Sequence, residues 1–228
     1  MEGSVIDRRV VVSWSTGKDA AWCLRTLRRE SGDQVIGLLS TVTRPFRRVT
    51  IHGTRLEVLR AQAAYLGLPV WLVELPYPCS NEAYEEAMGR AVAGMLSRWA
   101  PTHVAFGDLF LEDVRAYREE RLSSTPLEPL FPLWGRDTKA LAREMQDEGL
   151  SAVIVSAPTD SGASQFVGQP WSPETVSRFP DDVDPCGENG EFHTCFIGGA
   201  GMDPLPVALG EVVERDGARY CDLGLRGP

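Results

Sequence analysis

The sequence predicts an α/β protein: a doubly wound parallel sheet in the first half, followed by a smaller C-terminal α+β domain. Three observations lead there. Short, β-branched apolar runs alternate with helical patterns over the first hundred or so residues, which implies right-handed crossovers and parallel strands. After about residue 110 that alternation gives way to charged and polar stretches. The last segment then shows two strand-like runs around an Asp-Gly turn.

Taken in order, Val10 to Ser13, Val35 to Ser40, Val70 to Glu74 and His103 to Phe106 read as buried strands, too short for helices and rich in Val and Ile. Between them, Asp19 to Arg29 sets Ala20, Cys23, Leu24 and Leu27 on one helical face, and Arg55 to Leu66 does the same with Leu56, Leu59 and Ala63. Gly32 and Gly67 are placed to stop these helices. Leu111 to Leu122 (containing EDVRAYREER) reads as a charged helix with a solvated face, Thr138 to Glu148 as an amphipathic helix, and Ala152 to Val155 as a further buried strand. Ala157 to Pro185 is polar and proline-bearing, a candidate mobile loop or lid. Val207 to Leu223 forms the final hairpin around Asp216-Gly217. Ligands of such parallel sheets lie beyond the carboxyl ends of the strands.

The net charge is −9, which disfavours a broad grip on nucleic acid because that rests on many Lys and Arg contacts to phosphate. Cys23, Cys79, Cys186, Cys195 and Cys221 are odd in number and irregularly spaced, indicating neither a disulfide framework nor a zinc knuckle, and a cytoplasmic setting is expected. The first residues do not resemble a signal peptide, and no apolar run is long enough to span a bilayer.

Two stretches carry the candidate chemistry. In the first, SWSTGKDAAW from Ser13, a Walker A loop would need glycine where Val12 stands and Ser or Thr where Asp19 stands, so that reading fails. What remains is a turn of small residues, Ser15, Thr16 and Gly17, feeding a helix N-terminus at Lys18, Asp19 and Ala20. Free N–H groups and the helix dipole there favour an anion, with Lys18 adding a charge. An ordinary β-to-α turn is an equal alternative on this evidence. In the second, DPCGENGEFHTCF from Asp184, Asn189-Gly190 reads as a hairpin turn followed by an alternating strand. Phe192, Thr194 and Phe196 are then expected on one face and Glu191, His193 and Cys195 on the other, with Glu188 just across the turn. Such a cluster suits acid and base work or the positioning of a nucleophile; a plain hairpin with a polar outer face is the alternative.

Together these stretches resemble the ATP-binding family related to diphthine-ammonia ligase, within the PP-loop (adenine nucleotide alpha hydrolase-like) superfamily. STGKDA at Ser15 to Ala20 stands for the family's SGGKDS; HGTRLEVLRAQAAYLGLPV from His52, Gly107-Asp108, Pro132 to Trp134 and ENGEFHT from Glu188 to Thr194 follow in order, over roughly residues 10 to 205. Thr16 and Ala20 depart from the loop pattern, and Glu188-Asn189-Gly190-Glu191-Phe192-His193 is similar to the bacterial branch, for which diphthine is not the expected substrate.

The resemblance implies a Rossmann-like, HUP-type sheet, an ATP-binding PP-loop domain over residues 1–125 and a substrate-binding domain over residues 126–228. It also implies use of ATP and Mg²⁺, adenylylation of a small carboxylate, and release of pyrophosphate after which ammonia or another amine displaces AMP. By position, Ser13, Ser15, Thr16, Gly17, Lys18, Asp19 and Ala20 are expected around the nucleotide together with His52, Gly107 and Asp108. Asp19 is expected to cap the helix or help hold Mg²⁺. Lys18, Asp19, Glu188, Glu191 and His193 are the expected catalytic groups. Glu188, Asn189, Gly190, Glu191, His193 and Thr194 are expected to meet the substrate.

Two other functions compete with the ligase reading: sulfur transfer through Cys186 or Cys195, and a non-catalytic adenine-nucleotide sensor. Both cysteines read more simply as small buried hydrophobes. His52 and His103 read as structural, and Trp134 as packing rather than an adenine stack. A membrane partner is not expected, and a homodimer is left open.

Overall fold

The computed structural model describes residues 8–31, 33–50, 52–199 and 203–227; the helix stop expected at Gly32 lies outside them. The protein is α/β, with a six-stranded, mostly parallel sheet and a four-stranded antiparallel sheet. In the first sheet β1 (Arg9–Ser13) lies between β2 (Gln34–Thr43) and β5 (His103–Ala105), with β4 (Val70–Leu75) outside β2 and β6 (Glu128–Leu130) outside β5, all parallel. The short β3 (Arg48–Val49) runs antiparallel to the end of β2.

Alternation along β1 explains why helices cover both faces. Val10 and Val12 enter one cluster with Ala20, Cys23 and Leu24 of α1 (Lys18–Thr26) and Leu59 and Ala63 of α2 (Leu56–Leu66). Val11 enters another with Ala87, Ala91 and Met95 of α3 (Asn81–Trp99). Successive side chains of a strand point to opposite faces, so a wholly apolar strand needs a layer on each side. The chain leaves β1 in one direction to β2 and in the other to β5, which puts the switch point, and the crevice it opens, at the carboxyl ends of these two strands. Gly67 ends α2 in the left-handed conformation, as its position predicts.

The charged helix α4 is Glu112–Leu122 and the amphipathic helix α5 is Thr138–Asp147, whose Asp137 cap accepts the Ala140 N–H at 2.8 Å. The second sheet has the order β8 (His193–Gly198), β7 (Ser151–Pro158), β10 (Ala218–Leu225), β9 (Val207–Arg215). β9 and β10 form the expected hairpin, with Asp216 and Gly217 both at positive φ, 51° and 76°. The expected division after residue 125 falls ahead of β6, an edge strand of the first sheet, and one hydrophobic cluster takes in residues from β1, α1, α2, α5, β7 and β8.

The stretch 157–185 corrects an expectation. It does not lie over the surface as a lid: Ala163, Phe166, Val167, Trp171 and Val183 are all buried in the main core, and Trp171 donates its indole N–H to the Pro185 carbonyl at 2.9 Å. Its polar composition conceals a few large side chains that dominate the burial.

β8 has one edge free of other strands, and the first half of the chain covers it. The Ala152 and Ile154 carbonyls of β7 accept N–H groups from Trp171 and Gly168, both at 2.8 Å, so these residues turn their backbone away from β8. Their partners Phe196 and Thr194 therefore point outward. There the Phe196 N–H donates to the Thr16 carbonyl (2.8 Å), Gln62 donates to the Phe196 carbonyl (2.6 Å), and His52 donates to the Thr194 carbonyl (3.2 Å).

Candidate functional site

The β1–α1 loop meets the second sheet through these contacts, uniting the two sequence stretches singled out above. Gly17 caps α1 in an extended conformation, and the Lys18 N–H donates to the Thr194 hydroxyl at 3.1 Å. A side chain at Gly17 would bring Cβ within 2.9 Å of the His52 ring and 3.3 Å of the Thr194 carbonyl, so the close approach requires glycine. At Gly107, just past β5, a Cβ would fall 2.9 Å from the Asp19 carbonyl, so β5 packs directly on the first turn of α1.

Thr16 has a φ of 75°, a conformation a β-branched residue adopts at a cost. Three hydrogen bonds hold it: its hydroxyl to that of Thr54 (2.8 Å), and its carbonyl to the N–H of Phe196 and the amide of Gln62 (3.1 Å). The loop thus holds a glycine-like backbone at Thr16 through anchoring rather than residue type. Gln62, fully buried, also accepts the Trp14 indole N–H at 2.9 Å. Sequence reasoning passed over Gln62, although a polar residue between Leu59 and Ala63 on the apolar face of α2 was a usable signal.

The Lys18 ammonium is buried, donates to both Asp19 oxygens (2.9 and 2.8 Å) and to the Cys186 carbonyl, and lies 5.4 Å from the Trp171 and Phe192 ring centres. Burial opposes its charge, but Asp19 above all, with Cys186 and Glu188, holds its pKa above the ordinary lysine value. Asp19 therefore does not cap α1, as was expected; its carboxylate is turned to Lys18. Among the described residues no group of three or more His, Cys, Asp or Glu gathers that could hold a metal ion.

Glu188 reaches across to the segment after β5, accepting the Leu109 N–H at 2.7 Å. Burial, reinforced by the charges of Asp19 and Asp108, pushes its pKa up to about 7 against the backbone hydrogen bonds. Asp108 is likewise raised by burial and partly offset by Arg118, whose Nε lies 3.5 Å away. His52 and His193 pair with ring centres 4.7 Å apart. Burial, then the neighbouring His193, lowers the His52 pKa to about 3, and burial followed by Lys18 lowers that of His193. Both rings are neutral near pH 7, and the bond to Thr194 puts the His52 proton on Nδ1.

These groups line a cavity of about 580 Å³ in the crevice between β1 and β5. Ser13, Ser15, Lys18, Asp19 and Ala20 form its floor from the first loop; His52, Gly107 and Asp108 flank it; Glu188, Gly190, His193 and Thr194 close it from the second stretch. Thr16, Gly17, Asn189 and Glu191 stand outside the lining.

Glu191 corrects the expected strand face: β8 begins only at His193. The Glu191 carboxylate folds back to accept the Asp184 N–H (3.1 Å) and the exposed Asn189 amide (3.0 Å), locking its own turn. The far wall comes from Tyr84 and Met88 of α3 and Tyr117, Arg118 and Arg121 of α4, so α4 is not simply a solvated face. Cys186 and Cys195 are buried, and burial pushes both thiols up, Cys195 to about 12. Trp134 packs against Phe131 and the Arg115 guanidinium, away from the cavity. His103 donates or accepts with Thr102 at 2.7 Å and is likewise remote. Among the described residues no helix is long and apolar enough to cross a membrane. In comparison with known proteins, no family model matches the chain and no curated protein matches it significantly.

Proposed function

We propose that the protein is an ATP-dependent amide-forming ligase of the PP-loop type, with a HUP-type sheet, that adenylylates a small carboxylate and releases pyrophosphate. The observation that carries this reading is the junction of the α1 N-terminus with the Glu188–Thr194 stretch around one cavity at the switch point of the sheet. The N–H groups of Asp19 and Ala20, in the first turn of α1, have no intrahelical acceptor and favour an anion. Lys18 adds a charge that stays protonated. In the proposed reaction a substrate carboxylate oxygen bonds to the α-phosphorus as pyrophosphate leaves, and the amine nitrogen then bonds to the acyl carbon and gives up a proton as AMP leaves. Glu188, with a pKa near neutrality, is suited to take that proton. Mg²⁺ enters only as the companion of the nucleotide.

A second reading, an adenine-nucleotide sensor, draws on the burial of Lys18 and its engagement by Asp19 and the Cys186 carbonyl. Sulfur transfer is the weakest, because raised thiol pKa values leave no reactive thiolate at Cys186 or Cys195. The test combines calorimetry with Mg-ATP and detection of AMP and pyrophosphate across carboxylates supplied with ammonia. AMP formation lost in Lys18→Ala supports the ligase. ADP as product overturns it, and binding without any turnover favours the sensor.

A further inference from the structure

The cavity extends beyond the β1–α1 loop to α3 and α4, where its wall has a different chemistry. Met88 and Val92 of α3, Leu122 of α4 and Phe106 make it apolar, with Tyr84 and Tyr117 beside them. Two guanidinium groups face this wall from α4. Arg121 is paired with Glu85. Arg118 is not comparably engaged: its Nε meets Asp108 only at 3.5 Å, its guanidinium lies over the Phe106 ring at 5.0 Å, and neither terminal nitrogen has an acceptor among the described residues. An arginine fork stacked on an aromatic ring, with its two outer nitrogens unpaired, is preorganised for a carboxylate.

We propose that Arg118 anchors a second carboxylate of the acceptor, so that the substrate is a dicarboxylic acid with an apolar spacer. One carboxylate is activated at the Lys18 end of the cavity, the other is held in the Arg118 fork, and the spacer lies against Met88, Val92, Leu122 and Phe106. Asp108 sits between the two ends and orients Arg118 through the long Nε contact, leaving the terminal nitrogens to the ligand. This inference rests on the carboxylate-activating reading of the site.

The test uses linear dicarboxylates with two to six methylenes, the monocarboxylates of matching length, and the full chain as wild type, Arg118→Gln and Arg118→Lys. Direct binding is measured by calorimetry in the presence of Mg²⁺ and a non-hydrolysable ATP analogue, and AMP formation is measured separately with ATP and ammonia. The expected result is that at least one dicarboxylate binds wild type at least tenfold more tightly than its monocarboxylate. Arg118→Gln should remove that preference, and Arg118→Lys should restore part of it. Equal binding of mono- and dicarboxylates, or a preference that survives in Arg118→Gln, overturns the anchor even if AMP is formed. Arg118-dependent dicarboxylate binding with no AMP from any acid upholds the anchor and overturns the ligase. The side chain is partly exposed on α4, so folding of the variants is not in question.

Discussion

Replacing Gln62 with Leu keeps the side chain close in volume but removes one acceptor and two donors from the centre of the molecule. The Thr16 carbonyl keeps a partner, the Phe196 N–H at 2.8 Å. The Trp14 indole N–H loses its partner and the Phe196 carbonyl keeps only the weak Cys195 thiol at 3.7 Å, and Trp14 is buried away from water. Each orphaned group costs about 1–3 kcal/mol, so the variant should lose roughly 2–6 kcal/mol. For a chain of this size that is a fall in Tm on the order of 5–20 °C. Thermal unfolding followed by circular dichroism measures it. Adding Trp14→Phe removes the stranded indole N–H, so the double variant should be less destabilised than the sum of the single variants by at least about 1 kcal/mol. A Gln62→Leu protein within about 2 °C of wild type, or strict additivity in the cycle, would refute the view that this side chain knots the loop, α2 and β8 together.

Three further outcomes follow from the site. Gly107→Ala should destabilise by about 1–3 kcal/mol, because the new methyl group meets the Asp19 backbone at 2.9 Å, and equilibrium urea denaturation reads the effect. Glu188 has a folded pKa raised to about 7, so between pH 4.5 and 7 the folded protein keeps a proton that the unfolded chain has released, and stability falls as pH rises through that window. Allowing for partial exposure, the wild type should lose about 1–2 kcal/mol relative to Glu188→Gln between pH 5 and pH 8, and a pH-independent difference would contradict the burial argument. Finally, the His52 ring should show no imidazole titration by NMR from pH 8 to pH 5; a midpoint inside that range would mean that the ring is not enclosed.

Much of the parallel sheet was legible because β1, β5 and the middle of β2 are buried on both faces and, with the partly buried β4, read as apolar runs. Helix α3 was not, since its buried stripe consists of Ala87, Ala91 and Met95 among charged residues, and alanine every fourth position gives little contrast. β6 contains Pro129, which argues against a strand unless, as here, it lies at an edge. The loop and the Glu188–Thr194 stretch were legible as residue types, and their meeting followed only from the family resemblance. The positive φ of Thr16 had no local signal, because its cause is a set of partners at positions 54, 62 and 196. The roles of Glu191 and Arg118 depend on side-chain direction, which a periodic pattern read across a turn or along a charged helix does not fix.

The junction at Thr194 also has a consequence for the order of assembly. Lys18 and Thr194 are 176 positions apart, and Gln62 and Phe196 are 134 apart, so the contacts that shape the cavity are among the longest-range in the chain. Closing such separations carries an entropic cost that local contacts do not, and it slows the steps that depend on it. During synthesis, β1, β2 and β4 can pair while the loop after β1 still waits for a strand that has not been made. A truncated product lacking β8 would leave that loop without its Thr194 and Phe196 partners, so that the cavity takes shape only once the C-terminal half has folded onto the first.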